Sequence, residues 1–172
     1  VISDESVPPE MCYSVIPYLG IGYRCLNNDA SDKVTTTGHR GYARESRYLY
    51  SPLGFEVSCR FEDKPGSRDG SIGLTCEYDH FWRGKQISRL SDADAGFNDI
   101  RNTQRKGYGF RGSIKLKSKG RKFDLLCEPF MRYWNIRKSR DANVYYAGTI
   151  WGYGWEPQNN TVEIGSRFVV TF

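Results

Sequence analysis

Ser71-Ile72-Gly73-Leu74-Thr75-Cys76-Glu77-Tyr78-Asp79-His80-Phe81-Trp82-Arg83 places Ile72, Leu74, Cys76 and Tyr78 on one parity and Thr75, Glu77 and Asp79 on the other. A period of two marks a β-strand with one apolar and one polar face. The same alternation recurs along the chain. Val15, Leu19, Ile21, Tyr23 and Cys25 oppose Tyr18 and Arg24, and Leu53, Phe55, Val57, Cys59 and Phe61 oppose Glu56, Arg60 and Glu62. Tyr108, Phe110, Ile114 and Leu116 oppose Arg111, Ser113, Lys115 and Lys117. Over 122–135, Phe123, Leu125, Cys127, Met131 and Tyr133 oppose Asp124, Glu128 and Arg132. The final segment sets Val162, Ile164, Phe168, Val170 and Phe172 against Glu163 and Arg167. Six strands are clear.

Turn chemistry separates them at Lys64-Pro65-Gly66, Asp69-Gly70, Ser118-Lys119-Gly120 and Pro157-Gln158-Asn159-Asn160. Connections over 27–46, 84–106 and 138–158 are long. Alternation over 144–155 offers a seventh strand and residues 33–44 a polar eighth. Eight is the expected count, because about eight strands leave an interior that side chains just fill. The domain organisation read is an N-terminal extension over 1–12 and one all-β domain over 13–172. A length of 172 residues suits one core. No stretch is long and apolar enough for a membrane-spanning helix. A membrane β-barrel is not excluded, since only alternate residues of its strands need be apolar.

Alternation alone does not say which face is inside. A soluble lipocalin-like barrel would bury the apolar parity around an apolar ligand, whereas an outer-membrane barrel would turn it to lipid and pair its charges within. Three features favour the second. Phe172 closes an alternating strand, a termination without purpose in a soluble sheet. Aromatics near strand ends (Tyr13, Tyr18, Tyr48, Tyr50, Phe81, Trp82, Tyr133, Trp134, Trp151, Trp155) suit interfacial girdles. Long polar loops alternate with short turns. The expectation is a closed antiparallel transmembrane β-barrel in a bacterial outer membrane. On this reading Arg24, Glu56, Arg60, Glu77, Arg111, Glu128, Arg132, Glu163 and Arg167 form a salt-bridged plug in the lumen. Such a plug leaves at most a narrow channel.

TVEIGSRFVVTF at 161–172 resembles the outer-membrane insertion signal, a terminal Phe172 preceded by Val170, Phe168 and Ile164 at alternate positions. Together with YLYSPLGFEVSCRF, CEYDHFWRGKQISRLSD, EPFMRYWNI and GWEPQNNTVEIG, it is similar to a family of small, largely uncharacterised bacterial outer-membrane β-barrel proteins. That resemblance implies synthesis with a signal peptide and insertion by the barrel-assembly machinery; VISDESVPPE at the start carries neither a basic n-region nor an apolar h-region, as in a chain whose signal peptide was removed or one that never had it.

Chemical motifs are few. His39 and His80 are the only histidines, and the five cysteines form no C-x-x-C pair, so neither metal nor cofactor is expected. Asp79 and His80 are adjacent in a strand and should face opposite sides, which argues against an acid–base pair and against an enzyme, including a lipid-modifying one. GYGFRG at 107–112 matches a dinucleotide fingerprint but sits between a polar run and a strand, not between a strand and a helix. Residues 101–140 hold thirteen Lys and Arg against Asp124 and Glu128. Lys117, Lys119, Arg121, Lys122, Arg137, Lys138 and Arg140 are therefore candidate contacts for lipid phosphates, including lipopolysaccharide, with no nucleic acid expected. Cys25, Cys59, Cys76 and Cys127 share the apolar parity. Small residues there would let two barrels approach closely as a homo-oligomer. The expected role is a structural scaffold or surface-interaction protein.

Overall fold

A computed structural model describes residues 12–34, 36, 38–61 and 69–172 of the chain. The turn read at Lys64-Pro65-Gly66, Glu62 and nearly all of the 1–12 extension lie outside them. The fold is all-β and antiparallel. Its strands are β1 (Cys12–Leu19), β2 (Gly22–Asn28), β3 (Arg44–Phe61), β4 (Gly70–Ser88), β5 (Ile100–Gln104), β6 (Gly107–Lys119), β7 (Asp124–Ile136), β8 (Ala142–Tyr146), β9 (Thr149–Gly154) and β10 (Asn159–Thr171). One 3-10 turn, Leu90–Asp92, is the only helical element among the described residues.

The main sheet runs β1-β3-β4-β6-β7-β10. β2 extends the β1 row along the upper half of β3, and β5 extends the β6 row along the upper half of β4. Its eight segments therefore make six rows, the six read from alternation. The seventh and eighth strands expected for the barrel are not in the sheet. Residues 142–154 fold instead as a separate β8-β9 hairpin, because Ala147 (φ 48°) and Gly148 (φ 80°) turn the chain back in the middle of the alternating run. Two positive φ angles in succession are what a tight hairpin turn requires. Among the described residues, 33–44 contribute one isolated bridge, Val34 to Arg40. The connection expected over 84–106 is also shorter, since β4 continues to Ser88 and pairs there with β5.

The expected closure is not seen either. Among the described residues no ladder joins β1 or β2 to β10, so the sheet is open at that seam. The edges nevertheless come together at one level, where Arg24 of β2 forms an ion pair with Glu163 of β10. The turn between β6 and β7 and the outer ends of β1 and β10 lie at one end of the sheet. The three long connections lie at the other.

Burial settles the orientation of the two faces. Along β4, Gly73, Thr75, Glu77, Asp79 and Phe81 are buried, while Ile72, Leu74, Cys76, Tyr78 and His80 are exposed. At Trp82 a bulge against Leu49 and Tyr50 inserts one residue, so the inward positions become Gly84, Gln86 and Ser88. The polar parity lies inside and the apolar parity outside.

Candidate functional site: a charged, filled interior inside an apolar shell

The interior is built in layers. At its centre Arg132 reaches from β7 across β6 to two acids of β4: its Nη2 donates to Glu77 Oε1 at 2.6 Å, and its Nε lies 3.3 Å from Asp79 Oδ2. Register explains the reach. Glu77, Arg111 and Arg132 are successive cross-strand partners, as are Asp79, Gly109 and Trp134. Gly109 leaves room for the ring of Trp134, for a Cβ there would lie 2.9 Å from that ring and 3.0 Å from Asp79 Oδ2. The Tyr18 hydroxyl donates to the other oxygen of Glu77 at 2.8 Å.

A second cluster centres on Glu128, which is 1% exposed. Arg111 Nη2 lies 2.9 Å from its Oε1 and Arg167 Nη2 2.9 Å from its Oε2, and Ser113 Oγ donates to Oε1 at 2.9 Å. Lys115 pairs with Glu56 across β4, passing over Gly73, where a side chain would meet Glu56 Oε1 at 3.3 Å. Five acids and five bases thus neutralise one another on the inward side of the sheet, Arg167 reaching in from an exposed position. That balance is what buried charge demands, since an unpaired ion in a low-dielectric interior costs several kcal/mol.

Of the nine residues read as a lumen network, eight enter these pairs. Arg60 does not: it sits exposed at the end nearer the chain termini, where it lines a cavity of about 520 Å³ with Glu56, Lys117, Lys119, Asp69 and Asp124. The network also takes in Asp79 and Lys115, which share its parity. Above the charges lies an apolar layer of four aromatic residues, Tyr48, Tyr50, Phe81 and Trp134, with Ile136, all buried. Tyr50 meets Trp134 edge-on at 5.0 Å, and the Arg132 guanidinium lies 5.7 Å from both rings. Above that again, Gln86, Ser88, Asn102 and Gln104 are buried. Asn102 Nδ2 donates to the carbonyls of Arg140 and Gly154 at 3.1 Å each, fastening the β8-β9 hairpin over this end.

The girdle expected from strand-end aromatics needs correction. Tyr18, Tyr48, Tyr50, Phe81 and Trp134 point inward, whereas Tyr13, Trp82, Trp151 and Trp155 are exposed. An outward belt does exist across β4, β6 and β7, assembled largely from other residues. His80 stacks edge-on against Trp82 at 4.4 Å, and Tyr78, Phe110, Tyr108 and Tyr133 follow with centroid separations of 5.4 to 6.5 Å. At the opposite end Tyr13, Phe61, Phe123 and Phe168 are exposed outward. Between the two bands, the outward positions of all six rows carry no Asp, Glu, Lys or Arg among the described residues.

The remaining candidates scatter. Lys117 and Lys119 face the cavity, and Arg121 and Lys122 sit in the β6-β7 turn, while Arg137, Lys138 and Arg140 lie at the opposite end. Lys138 is held by Asp141 at 3.1 Å and stacks 4.3 Å over Trp155. The seven therefore do not form one site. Of the insertion-signal residues, Ile164, Phe168 and Val170 of β10 point outward with Phe172 beyond them, Ile164 being 83% exposed. Cys25, Cys59, Cys76 and Cys127 are free thiols on the outward faces of β2, β3, β4 and β7. Asp79 turns inward and His80 outward, so they share no site. No cluster of His, Cys, Asp or Glu suited to a metal occurs among the described residues. No protein-family model matches this chain, and no curated protein matches it.

Proposed function

We propose that the chain spans a bacterial outer membrane as a small β-barrel with a filled interior, and that it serves as a structural or surface-interaction protein rather than a pore or an enzyme. The observation that carries this reading is the inversion of polarity: ion pairs inside, and an uncharged apolar band bounded by aromatic rings outside. In water such an exterior would expose far more contiguous apolar surface than a soluble monomer tolerates. A soluble barrel with an apolar ligand would bury the parity that is outside here. The band has the right height: on β4 it runs from Ile72 to Trp82, matching the ~9–11 residues of a tilted spanning strand.

In hydrocarbon the free N–H and C=O groups along β1, β2 and β10 must be paired. Arg24 opposite Glu163 sets the register for that closure, with Gly22 facing Gly165, so inward positions meet inward positions. Six rows enclose a narrower space than eight, consistent with an interior that side chains fill beyond the cavity at the end nearer the chain termini. The arginine–acid clusters and the aromatic layer beside them oppose conduction. Sedimentation with and without detergent, read with far-UV circular dichroism, tests the proposal. A folded β protein that stays soluble only in detergent supports it, and a compact β monomer in plain buffer overturns it.

A further inference from the structure

We infer that Arg83, Lys85, Arg101 and Arg105 form a binding surface for the phosphate headgroups of an anionic lipid, in the leaflet nearer the long loops. This rests on the membrane reading above. The bulge at Trp82 shifts the parity of β4, leaving Arg83 exposed beside it and Lys85 on the outward face just beyond the aromatic belt. β5 pairs with that same segment, Lys85 opposite Thr103 and Ile87 opposite Arg101, and continuation of the register brings Arg105 beside Arg83. Arg47 of β3 stands directly opposite Lys85 on the other side. All five side chains are exposed.

Among the described residues, Arg83, Lys85, Arg101 and Arg105 enter no ion pair. Arg47 is held by Glu45. Like charges directly opposite on neighbouring strands repel, so Arg47 with Lys85 and Arg83 with Arg105 form an arrangement that an anion between them would relieve. Phosphate is the anion that suits planar guanidinium groups, which bind it bidentately. The level matches too. His80, Trp82 and Tyr108 occupy the position where aromatic rings meet lipid headgroups, and the cations lie one step further out. The basic turn at the other end has no such belt of adjoining cations, since Lys117 and Lys119 face a cavity that also holds Asp69 and Asp124.

The test uses the chain reconstituted in phosphatidylcholine vesicles containing brominated phosphatidylglycerol or brominated phosphatidylcholine. Quenching of tryptophan fluorescence, to which Trp82 contributes from beside the patch, reports lipid preference. Each cation near an anionic surface contributes on the order of five-fold in binding. The wild-type chain should therefore prefer the anionic lipid by about five-fold or more. The Arg83→Gln/Lys85→Gln/Arg101→Gln/Arg105→Gln variant should lose that preference, and Arg121→Gln/Lys122→Gln should keep it. Single Arg101→Gln and Arg105→Gln variants, each expected to lower it, give the same reading if the quadruple variant does not insert. No preference in the wild type, or full preference in the quadruple variant, overturns the lipid surface alone. A chain left open to protease in pure phosphatidylcholine vesicles overturns the membrane reading beneath it.

Discussion

Replacing Arg132 by methionine keeps most of the side-chain volume and removes the cation that, among the described residues, pairs with both Glu77 and Asp79. Asp79 is 0% exposed and the Glu77 side chain 6%, so neither acid can recover its hydration. Leaving a buried partner uncompensated costs about 3–5 kcal/mol. Loss of the guanidinium contacts to Tyr50 and Trp134 adds on the order of 1 kcal/mol. Urea unfolding in detergent micelles or vesicles, followed by heat-modifiable gel mobility and tryptophan fluorescence, measures the loss. The same substitution made together with Glu77→Gln and Asp79→Asn should cost about 1 kcal/mol or less, because no charge is then stranded. A loss below about 1 kcal/mol in the wild-type background would refute the reasoning, since that is the value of a solvated surface pair.

Three further outcomes follow from the same geometry. Gly54→Val should destabilise by about 1–3 kcal/mol, because its Cβ would sit 2.6 Å from the Tyr18 ring and 2.7 Å from the Cys76 carbonyl, whereas Gly112→Ala, whose nearest neighbour is 3.9 Å away, should be within about 0.5 kcal/mol of neutral; both are read from urea midpoints. Leu74→Lys places a charge in the middle of the outward band and should cost about 2–4 kcal/mol in bilayers, against far less for Ile87→Lys beyond the aromatic belt. Asn102→Ala removes both hydrogen bonds that fasten the β8-β9 hairpin; hydrogen exchange should rise over 142–154 while β4, β6 and β7 keep their protection.

Much of the fold was legible because a period of two is written into each strand separately. All six rows and the composition of both faces follow from it. Which face was inside did not, since alternation is identical for a core and for a lipid-facing wall. The aromatic residues show how a second signal can mislead. Tyr50, Phe81 and Trp134 share the parity of Glu56, Asp79 and Arg132, which places them inside. Their nearness to strand ends pointed to a girdle instead, and parity was the better guide. The hairpin over 142–154 escaped notice because Ala147 is not a residue that announces a positive φ, leaving Gly148 as the only cue. Partner choice among the charges was equally hidden. Glu56 meets Lys115 two rows away only because Gly73 lies between them, and such reach depends on register. The bulge at Trp82 had no sequence signature, yet it shifts the parity of β4 above the belt and presents Lys85 outward.

The central claim, that the outward apolar face meets lipid, is tested most directly by nitroxide labels placed singly at Leu74, Ile114 and Ile164 in a background with the cysteines changed to serine. Labelled chains are reconstituted in vesicles and relaxed by oxygen, which concentrates in hydrocarbon, or by a water-soluble nickel complex. Oxygen should dominate at all three positions, with the nickel complex gaining at a fourth label on Ile87. Relaxation by the nickel complex at Leu74, Ile114 and Ile164 would mean that water, not lipid, covers this face, and would contradict the account.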